Sequence, residues 1–432
     1  MKTSLQIIDG IRTPFCKFGT SLARESAADM GAQALKQLLA RTGIDPRRVD
    51  HVITGCVGQP AGDANLSRVI ALRSGLPESI PAHTVHRNCA SGLEALTQAQ
   101  QMADAGEGEV FLVVATESMS QYPLLYHPKT AEKFGMLARA KTPMQKIKAA
   151  AAFRPMDFAP KAALRMGLTD PTCGLNMGDT AENLARDFNI SRKEQDLYSL
   201  FSHKKAVAAK NRLRDEMFPY IPNSAKKKAL LVEKDNGPRK QQSRAALTKL
   251  KPVFDRKFGR VTAGNSSQIT DGAVALLVMT GAAAKKARKA SLGSLLHSSY
   301  VGCQPSRMGL GPVYAIDDAE KKTGLGLQDA DLIEINEAFA AQVLAVAKAS
   351  RSPQFCEKEL NRKEPLGRIP GSRLNVNGGA IALGHPVGAT GARLVLSTLK
   401  ELHRRKAGKA LVSVCIGGGQ GAALWLEANL KN

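Results

Sequence analysis

The sequence is short of acidic residues: its 432 residues include 38 Asp and Glu but 61 Lys and Arg, a formal net charge of +23. Aromatic residues are also scarce, at 5% with a single Trp. Because nucleic-acid bases stack on aromatic side chains placed among basic ones, the composition disfavours a nucleic-acid partner. The large positive charge still predicts an anionic partner, such as a membrane surface or a phosphorylated ligand.

Long apolar runs and paired cysteines are missing too. No stretch of ~18 apolar residues predicts a transmembrane helix. Residues 1–15 do not resemble a signal or transit peptide. The seven cysteines are widely spaced and form no CxxC pair, which disfavours a disulfide framework or a structural zinc site. We therefore expect a cytoplasmic protein whose individual thiols are available for chemistry.

Two pairs of similar segments predict an internal duplication. Residues 43–59 resemble 326–342, and residues 88–118 resemble 385–419. Each copy of the second pair reads as a glycine-bearing helix start, a helix and a buried strand. Repeated strand–helix–strand order with continuous apolar strands is typical of α/β folds whose sheets are covered by helices on both faces.

The surplus of positive charge is concentrated between the two copies. Residues 121–260 contain 29 Lys and Arg but 13 Asp and Glu, which indicates an insertion or a separate layer. Residues 129–165 contain nine of these basic side chains, interleaved with apolar ones such as Met144 and Ile147. They predict a basic amphipathic pair of helices. The pair is either a solvated face over a small apolar core or a surface for an anionic membrane or a partner protein.

Four glycine-rich or polar motifs contain candidate catalytic residues. Cys89 opens a helix, where unpaired N–H groups and the helix dipole can lower the pKa of a thiol. His385, beside a glycine elbow, is a candidate general base. Cys415 precedes Gly417 in a glycine turn whose N–H groups can form an oxyanion hole. Asn336 can hold a water molecule or donate directly to a developing oxyanion.

Each motif alone also has a plain structural interpretation: a small buried cysteine, a core or capping histidine, a tight turn between strands, and a helix N-cap. Together the motifs supply a nucleophile, a base, a second acid or base, and oxyanion donors. All of them lie at strand ends of the duplicated unit, where ligands collect in open α/β sheets. The combination predicts acyl transfer through a cysteine nucleophile.

At these motifs the sequence resembles the thiolase family, the acetyl-CoA acyltransferases. The resemblance covers essentially the whole chain. It rests on seven ordered motifs: RTPFCKFG (12–19), NCASG (88–92), NMGDTAENLA (176–185), TAGNSSQITDGA (262–273), NEAFA (336–340), GHPVGATG (384–391) and CIGGGQG (415–421).

Within the family, the chain most resembles the β subunit of the trifunctional fatty-acid β-oxidation complex. The similarity lies in KDNGPR (234–239), LTKLKPVF (247–254) and the long basic segment. The chain departs from that subgroup at Asn336, where the subgroup carries His. It departs from biosynthetic short-chain members at Asn176, where they carry His.

The resemblance implies a duplicated five-layer α/β/α/β/α fold with an inserted loop domain. Residues 1–120 with 253–280 would form the N-terminal half, and residues 281–432 the C-terminal half. The inserted basic loop domain would comprise residues 121–252.

The resemblance also implies roles for the candidate residues. Cys89 would attack the 3-keto carbonyl of a 3-ketoacyl-CoA after His385 takes its proton, and Cys415 would protonate the departing acetyl-CoA enolate. The N–H groups of Cys89 and Gly417 would form one oxyanion hole. His385 and a water held by Asn336 would form the other.

Ser267 and Met177 match family positions that bind CoA. No metal or organic cofactor is implied, because coenzyme A is a substrate and its thioester activates the carbonyl and the α-carbon.

The expected function is therefore that of a 3-ketoacyl-CoA thiolase in fatty-acid β-oxidation. The alternatives are an acetoacetyl-CoA thiolase that runs the Claisen condensation, a decarboxylating ketoacyl synthase, which would lack a second catalytic cysteine, and a non-catalytic basic scaffold for membrane or nucleic acid. A homodimer or homotetramer is expected. A hydratase/dehydrogenase partner subunit or an anionic membrane could bind residues 129–165.

Overall fold

A computed structural model describes residues 3–223 and 231–430. Residues 1–2, 224–230 and 431–432, which fall within the predicted domain ranges, lie outside the described residues. The strands are β1 (Leu5–Arg12), β2 (Cys16–Lys17), β3 (His51–Gly55), β4 (Ala82–Val85), β5 (Val110–Ser118), β6 (Leu124–Leu125), β7 (Lys161–Ala162), β8 (Thr270–Thr280), β9 (Gly293–Gly302), β10 (Leu332–Ile335), β11 (Lys409–Ile416) and β12 (Gln420–Ala428).

The α-helices of the described residues are α1 (Ala27–Thr42), α2 (Leu66–Arg73), α3 (Ser91–Ala105), α4 (Pro128–Arg139), α5 (Pro143–Ala151), α6 (Ala163–Gly167), α7 (Met177–Asp187), α8 (Arg192–Ala208), α9 (Lys210–Arg214), α10 (Arg244–Thr248), α11 (Gly281–Lys286), α12 (Gly311–Thr323), α13 (Ala340–Ala349), α14 (Pro353–Leu360), α15 (Ala380–Leu383) and α16 (Val387–Arg405).

Local sequence explains many of these bounds. The apolar runs at 111–115 and 410–414 lie in β5 and β11 and are buried, as expected for strands covered on both faces. Helix α1 begins after Ser26, whose side chain accepts a hydrogen bond from the Asp29 N–H. It ends at Gly43, whose φ of 58° lies in the left-handed region that glycine adopts without strain.

The order of the strands confirms the internal duplication. The main sheet runs β10–β11–β12–β9–β1–β8–β5–β3–β4, and β2 pairs with β8. In one half β3 and β5 are parallel, and β5, β8 and β1 follow as antiparallel neighbours. In the other half β10 and β11 are parallel, and β11, β12 and β9 follow in the same way. The two halves join where β1 pairs with β9.

Helices separate the two halves of the sheet and cover their outer faces. Between the halves, α3 and α16 pack on each other and on strands from both sides. Helix α1 covers the outer face of the first half, and α12 covers the outer face of the second. Three buried apolar clusters fill the spaces between these layers. The order helix, sheet, helix, sheet, helix confirms the predicted five-layer α/β fold.

The basic segment at 129–165 contains the predicted pair of helices, α4 and α5. The rings of Phe134, Phe153 and Phe158 cluster beside the pair, with centroids 4.9 Å apart for Phe134 and Phe153 and 5.5 Å for Phe153 and Phe158. Phe134 and Phe158 are nevertheless exposed, so this cluster is not a closed core. Strands β6 and β7 form a ribbon of their own, and the described part of 121–252 adds no strand to the main sheet. The domain boundaries themselves stay a prediction.

The rest of the inserted region is tied to the main body. Arg12 of β1, fully buried, forms ion pairs with Glu216 at 2.9 Å and with Asp235 at 2.7 Å. Burial disfavours the charged guanidinium, but the two carboxylates more than compensate and raise the pKa of Arg12. Among residues 3–223 and 231–430, no helix has both the length and the apolar character needed to cross a membrane.

Two glycines allow the central helices to touch backbone to backbone. A Cβ on Gly92 of α3 would lie 2.8 Å from the backbone N of Ala392, and a Cβ on Gly391 of α16 would lie 2.6 Å from the backbone N of Leu93. Backbone atoms cannot swing aside as a flexible side chain can. Any larger residue must therefore push the helices apart.

We expect Gly391→Ala to lower the free energy of unfolding by about 1–3 kcal/mol, because it overpacks the central layer. The thermal midpoint of unfolding measures this change. Gly135→Ala in α4 is the matched control, since a Cβ there would meet only the end of a flexible Arg139 side chain at 3.6 Å. Equal midpoints for the two variants would contradict the close contact.

Candidate functional site

Cys89 lies between β4 and α3, two residues before the first residue of the helix. Its sulfur accepts hydrogen bonds from the backbone N–H of Gly417 and from its own N–H, which favour the thiolate. Burial outweighs them and, with the charge of Glu117, raises the pKa of the thiol. The expected lowering of the Cys89 pKa is therefore wrong, because the loss of hydration destabilises the thiolate more than the two N–H hydrogen bonds stabilise it.

A hydrogen bond from the Asn88 side chain holds the glycine turn beside Cys89. It adopts a left-handed φ of 43°, and its Nδ2 donates to the Gly417 carbonyl at 2.8 Å. The turn continues through Gly418 and Gly419, with φ of 91° and 80°, which only glycine adopts without strain. This geometry directs the Gly417 N–H at the sulfur of Cys89.

His385 is buried between α15 and α16, and its ring is held at both nitrogens. Nδ1 lies 2.6 Å from Oγ1 of Thr390, and that hydroxyl donates to the Pro386 carbonyl at 3.0 Å. Since the hydroxyl proton is used on Pro386, Thr390 accepts the Nδ1 proton. The lone pair is then on Nε2, which accepts a hydrogen bond from Nδ2 of Asn336 at 3.3 Å. The arrangement presents Nε2 as the basic nitrogen.

The electrostatic surroundings keep this imidazole neutral. Burial, together with the positive charge of Arg393, lowers the pKa of His385 to about 3. A neutral imidazole can accept a proton, so His385 meets the first requirement of a general base.

Asn336 and Cys415 complete the polar side of the site. Asn336 follows β10, and its Oδ1 is buried without a hydrogen-bond partner among the described residues, so it is an acceptor that a bound water could satisfy. Cys415 is the second-last residue of β11, just before the glycine turn. Burial, with the nearby Cys89 and Cys303, raises its pKa well above the usual value. Cys415 is thus held as a thiol that can donate a proton.

One cavity of about 570 Å³ brings the predicted residues together. Six of the seven line it: Cys89, His385, Cys415, Gly417, Ser267 and Met177. The seventh, Asn336, contacts the cavity through His385.

Each of the two predicted CoA-binding residues contacts a residue of another sequence motif at the cavity. Met177 begins α7, and its sulfur would lie 3.3 Å from a Cβ on Gly417. Ser267 donates its backbone N–H to the Ala338 carbonyl at 2.8 Å.

Sequence reasoning missed several residues that shape the site. Asn88 and Thr390 lie inside the recognised motifs but received no role. Glu117 and Tyr122 lie outside them and are joined by a hydrogen bond of 2.9 Å. Glu117 had one available signal, since an acidic side chain close behind the apolar run of a strand needs partners once it is buried.

Comparison with known proteins agrees with this geometry. Residues 5–282 match the model of the thiolase N-terminal domain, and residues 289–428 match that of the thiolase C-terminal domain. The chain is 37% identical to a 3-ketoacyl-CoA thiolase of Serratia proteamaculans and 35% identical to one of Vibrio cholerae. Each alignment covers 98% of this chain and 96% of the relative.

Solved structures give the same result. Human mitochondrial 3-ketoacyl-CoA thiolase in complex with CoA is 38% identical, with a TM-score of 0.83 over 99% of this chain and 98% of that one. The acetyl-CoA acetyltransferase of Bacillus anthracis is 34% identical, with a TM-score of 0.85 over 99% of both chains.

We expect Thr390→Val to lower kcat for acyl transfer roughly 10- to 100-fold, the equivalent of about 1.5–3 kcal/mol for a hydrogen bond to a group that becomes charged. The valine removes the acceptor for the Nδ1 proton, so Nε2 is no longer fixed as the base. Thr390→Ser keeps the hydroxyl and should retain most of kcat, with KM similar in both. Steady-state kinetics would contradict this role if Val and Ser behaved alike.

Proposed function

The chain belongs to the thiolase family, and from this premise we propose that it is a 3-ketoacyl-CoA thiolase. It cleaves a 3-ketoacyl-CoA with coenzyme A into acetyl-CoA and an acyl-CoA shortened by two carbons. The observation that carries the proposal is the convergence of Cys89, His385 and Cys415 on one cavity, with the Gly417 N–H on the Cys89 sulfur. This set supplies the nucleophile, base, acid and oxyanion donor that thiolytic cleavage needs.

In the first half-reaction, Nε2 of His385 takes the proton of the Cys89 thiol, and the sulfur attacks the 3-keto carbonyl carbon. The oxyanion is stabilised by the N–H groups of Cys89 and Gly417. The bond between C2 and C3 then breaks, which leaves an acyl thioester on Cys89. Cys415 gives its proton to the acetyl-CoA enolate.

Before the second half-reaction, the proton on Nε2 of His385 passes to the Cys415 thiolate, so both groups return to their neutral forms. His385 then takes the proton of the incoming CoA thiol, the CoA sulfur attacks the acyl thioester, and the released Cys89 sulfur takes that proton back from His385. Because both resting thiols and the imidazole are uncharged, the charge develops only as the bonds change. At that moment each oxyanion donor is worth roughly 10²–10³ in rate.

The enolate forms at the second oxyanion site, made by His385 and a water held by Asn336. The unpartnered Oδ1 of Asn336 supports this assignment. Ser267 and Met177 are proposed to contact the CoA thioester. The cycle as written needs no metal or organic cofactor, since the thioester itself makes the α-carbon acidic.

Acetoacetyl-CoA thiolase activity is the second candidate. It is favoured by the similarity to acetyl-CoA acetyltransferases from Bacillus anthracis and Syntrophomonas wolfei, which are 34% and 31% identical. The two candidates share every catalytic residue and differ in the length of the acyl chain.

We propose further that the protein is a homodimer or homotetramer and that it acts in the cytoplasm. The free thiols of all seven cysteines support a reducing compartment. Strand β4 ends the described sheet with one edge unpaired, and such an edge can pair with a second copy of the chain.

We expect cleavage of 3-ketoacyl-CoA from C4 to C16 in the presence of CoA, with the highest kcat/KM at medium to long chains. Cys89→Ala should abolish it, because no acyl thioester can form. Acetyl-CoA release and trapping of the acylated protein by mass spectrometry measure the two steps. Normal turnover by Cys89→Ala would contradict the mechanism, and activity confined to C4 would favour the second candidate.

We also propose that residues 129–165 bind an anionic membrane surface. Met144, Ile147 and Met136 expose 74%, 65% and 54% of their surface, beside the nine basic side chains. Within the described residues, Lys133 is the one member of the nine with an ion-pair partner, Asp157. Exposed apolar side chains among unpaired cations suit the headgroup region of an anionic bilayer.

We expect Met144→Glu with Ile147→Glu to reduce sedimentation with phosphatidylserine vesicles at least tenfold, without loss of thiolase activity. Leu197→Glu, in α8, is the control because Leu197 is also an exposed apolar residue, 41% accessible, but lies outside the segment. If the double variant still sedimented but no longer bound a hydratase/dehydrogenase subunit, the segment would be a protein interface instead.

A further inference from the structure

Part of the cavity wall has no role in the proposed mechanism. Val57, Met119, Tyr122, Leu164 and Leu168 line the cavity together with the catalytic groups. These side chains are apolar or aromatic and come from the loops after β3 and β5 and from α6 with the turn that follows it. A wall of this chemistry suits a hydrocarbon chain.

Tyr122 is the best-fixed side chain of this wall. Its hydroxyl donates to Glu117 at 2.9 Å, and its ring lies on the backbone at Gly58. A Cβ on Gly58 would lie 1.9 Å from the ring, so this position holds the ring only while residue 58 is glycine.

Glu117 connects Tyr122 to the catalytic loops. The same buried carboxylate accepts the N–H groups of Gly58 at 2.8 Å and Val57 at 3.1 Å. It also accepts the N–H of Gly388 at 2.8 Å, three residues after His385. One carboxylate therefore holds both the Tyr122 hydroxyl and the first turn of α16, the helix that follows the base, and this keeps the ring beside the site.

A second buried carboxylate fixes the turn between Glu117 and Tyr122. Asp271 of β8 accepts the Ser120 N–H at 2.8 Å and the Ser120 hydroxyl at 2.6 Å. With both sides of the turn anchored, the ring cannot move away without breaking hydrogen bonds to buried carboxylates.

We propose that Tyr122 is a specificity-determining residue whose ring limits the length of the acyl chain carried by Cys89. The inference rests on the proposed function and adds to it. An acyl group on Cys89 extends into the cavity, and a fixed ring in the apolar wall ends the space along which methylene groups gain contact. Each further methylene that finds apolar contact is worth up to about fourfold in kcat/KM, from ~0.8 kcal/mol per buried CH₂.

The test is the kcat/KM profile of the full-length protein for saturated 3-ketoacyl-CoA substrates from C4 to C16. Tyr122→Ala should move the optimum at least two carbons longer and raise the ratio of long-chain to C4 activity roughly tenfold. Tyr122→Phe keeps the ring and should keep the optimum near that of the wild type. Tyr126→Ala removes a half-exposed tyrosine that does not line the cavity and should leave the profile unchanged.

Tyr122→Leu serves as a second truncation if the alanine variant does not fold, since it keeps an apolar side chain but removes the ring. An unchanged profile in a folded truncation, or an equal loss at every chain length, would overturn the role of Tyr122 while leaving the proposed function intact. A wild type inactive at every chain length would instead contradict both.

Discussion

The backbone contact between α3 and α16 is the constraint on which the site depends. Cys89 lies two residues before the first of these helices, and His385 lies two residues before the second. The two helices belong to different copies of the duplicated unit. Because Gly92 and Gly391 let them touch, the nucleophile of one copy faces the base of the other. The duplication thus places two equivalent helix starts side by side, and different residues there give them different chemistry.

Buried carboxylates then hold the loops that the helices leave unsupported. Glu117, after the apolar part of β5, accepts N–H groups from the loop after β3 and from the first turn of α16, and a tyrosine hydroxyl. Glu337, after β10, likewise accepts from Tyr198, Ser202 and the Ile381 N–H. A buried carboxylate without a cation needs several donors. Each one therefore ties together chain segments that are distant in sequence, and the rigidity of the site comes from these ties.

The inserted region contributes residues both to the wall of the catalytic cavity and to the solvent-exposed surface. Leu164 of α6 lines the catalytic cavity, while Met144 and Ile147 of α5 point into solvent. A segment that contacts both the proposed acyl site and the proposed membrane surface would bring substrate and bilayer close together.

Much of this protein follows from its sequence alone. The α/β class, the duplication and the helical pair were predictable, because apolar periodicity and motif order are local properties. The glycine-rich motifs also identified Cys89, His385, Cys415 and Asn336 as site residues. What the tertiary structure decided was their environment. The position of Cys89 at the start of a helix predicted a lowered pKa, but burial raises it. Desolvation depends on the surrounding protein rather than on neighbours in sequence. For the same reason the partners of Glu117 and Tyr122 could not be predicted from the sequence, because they lie in segments that only the fold brings together.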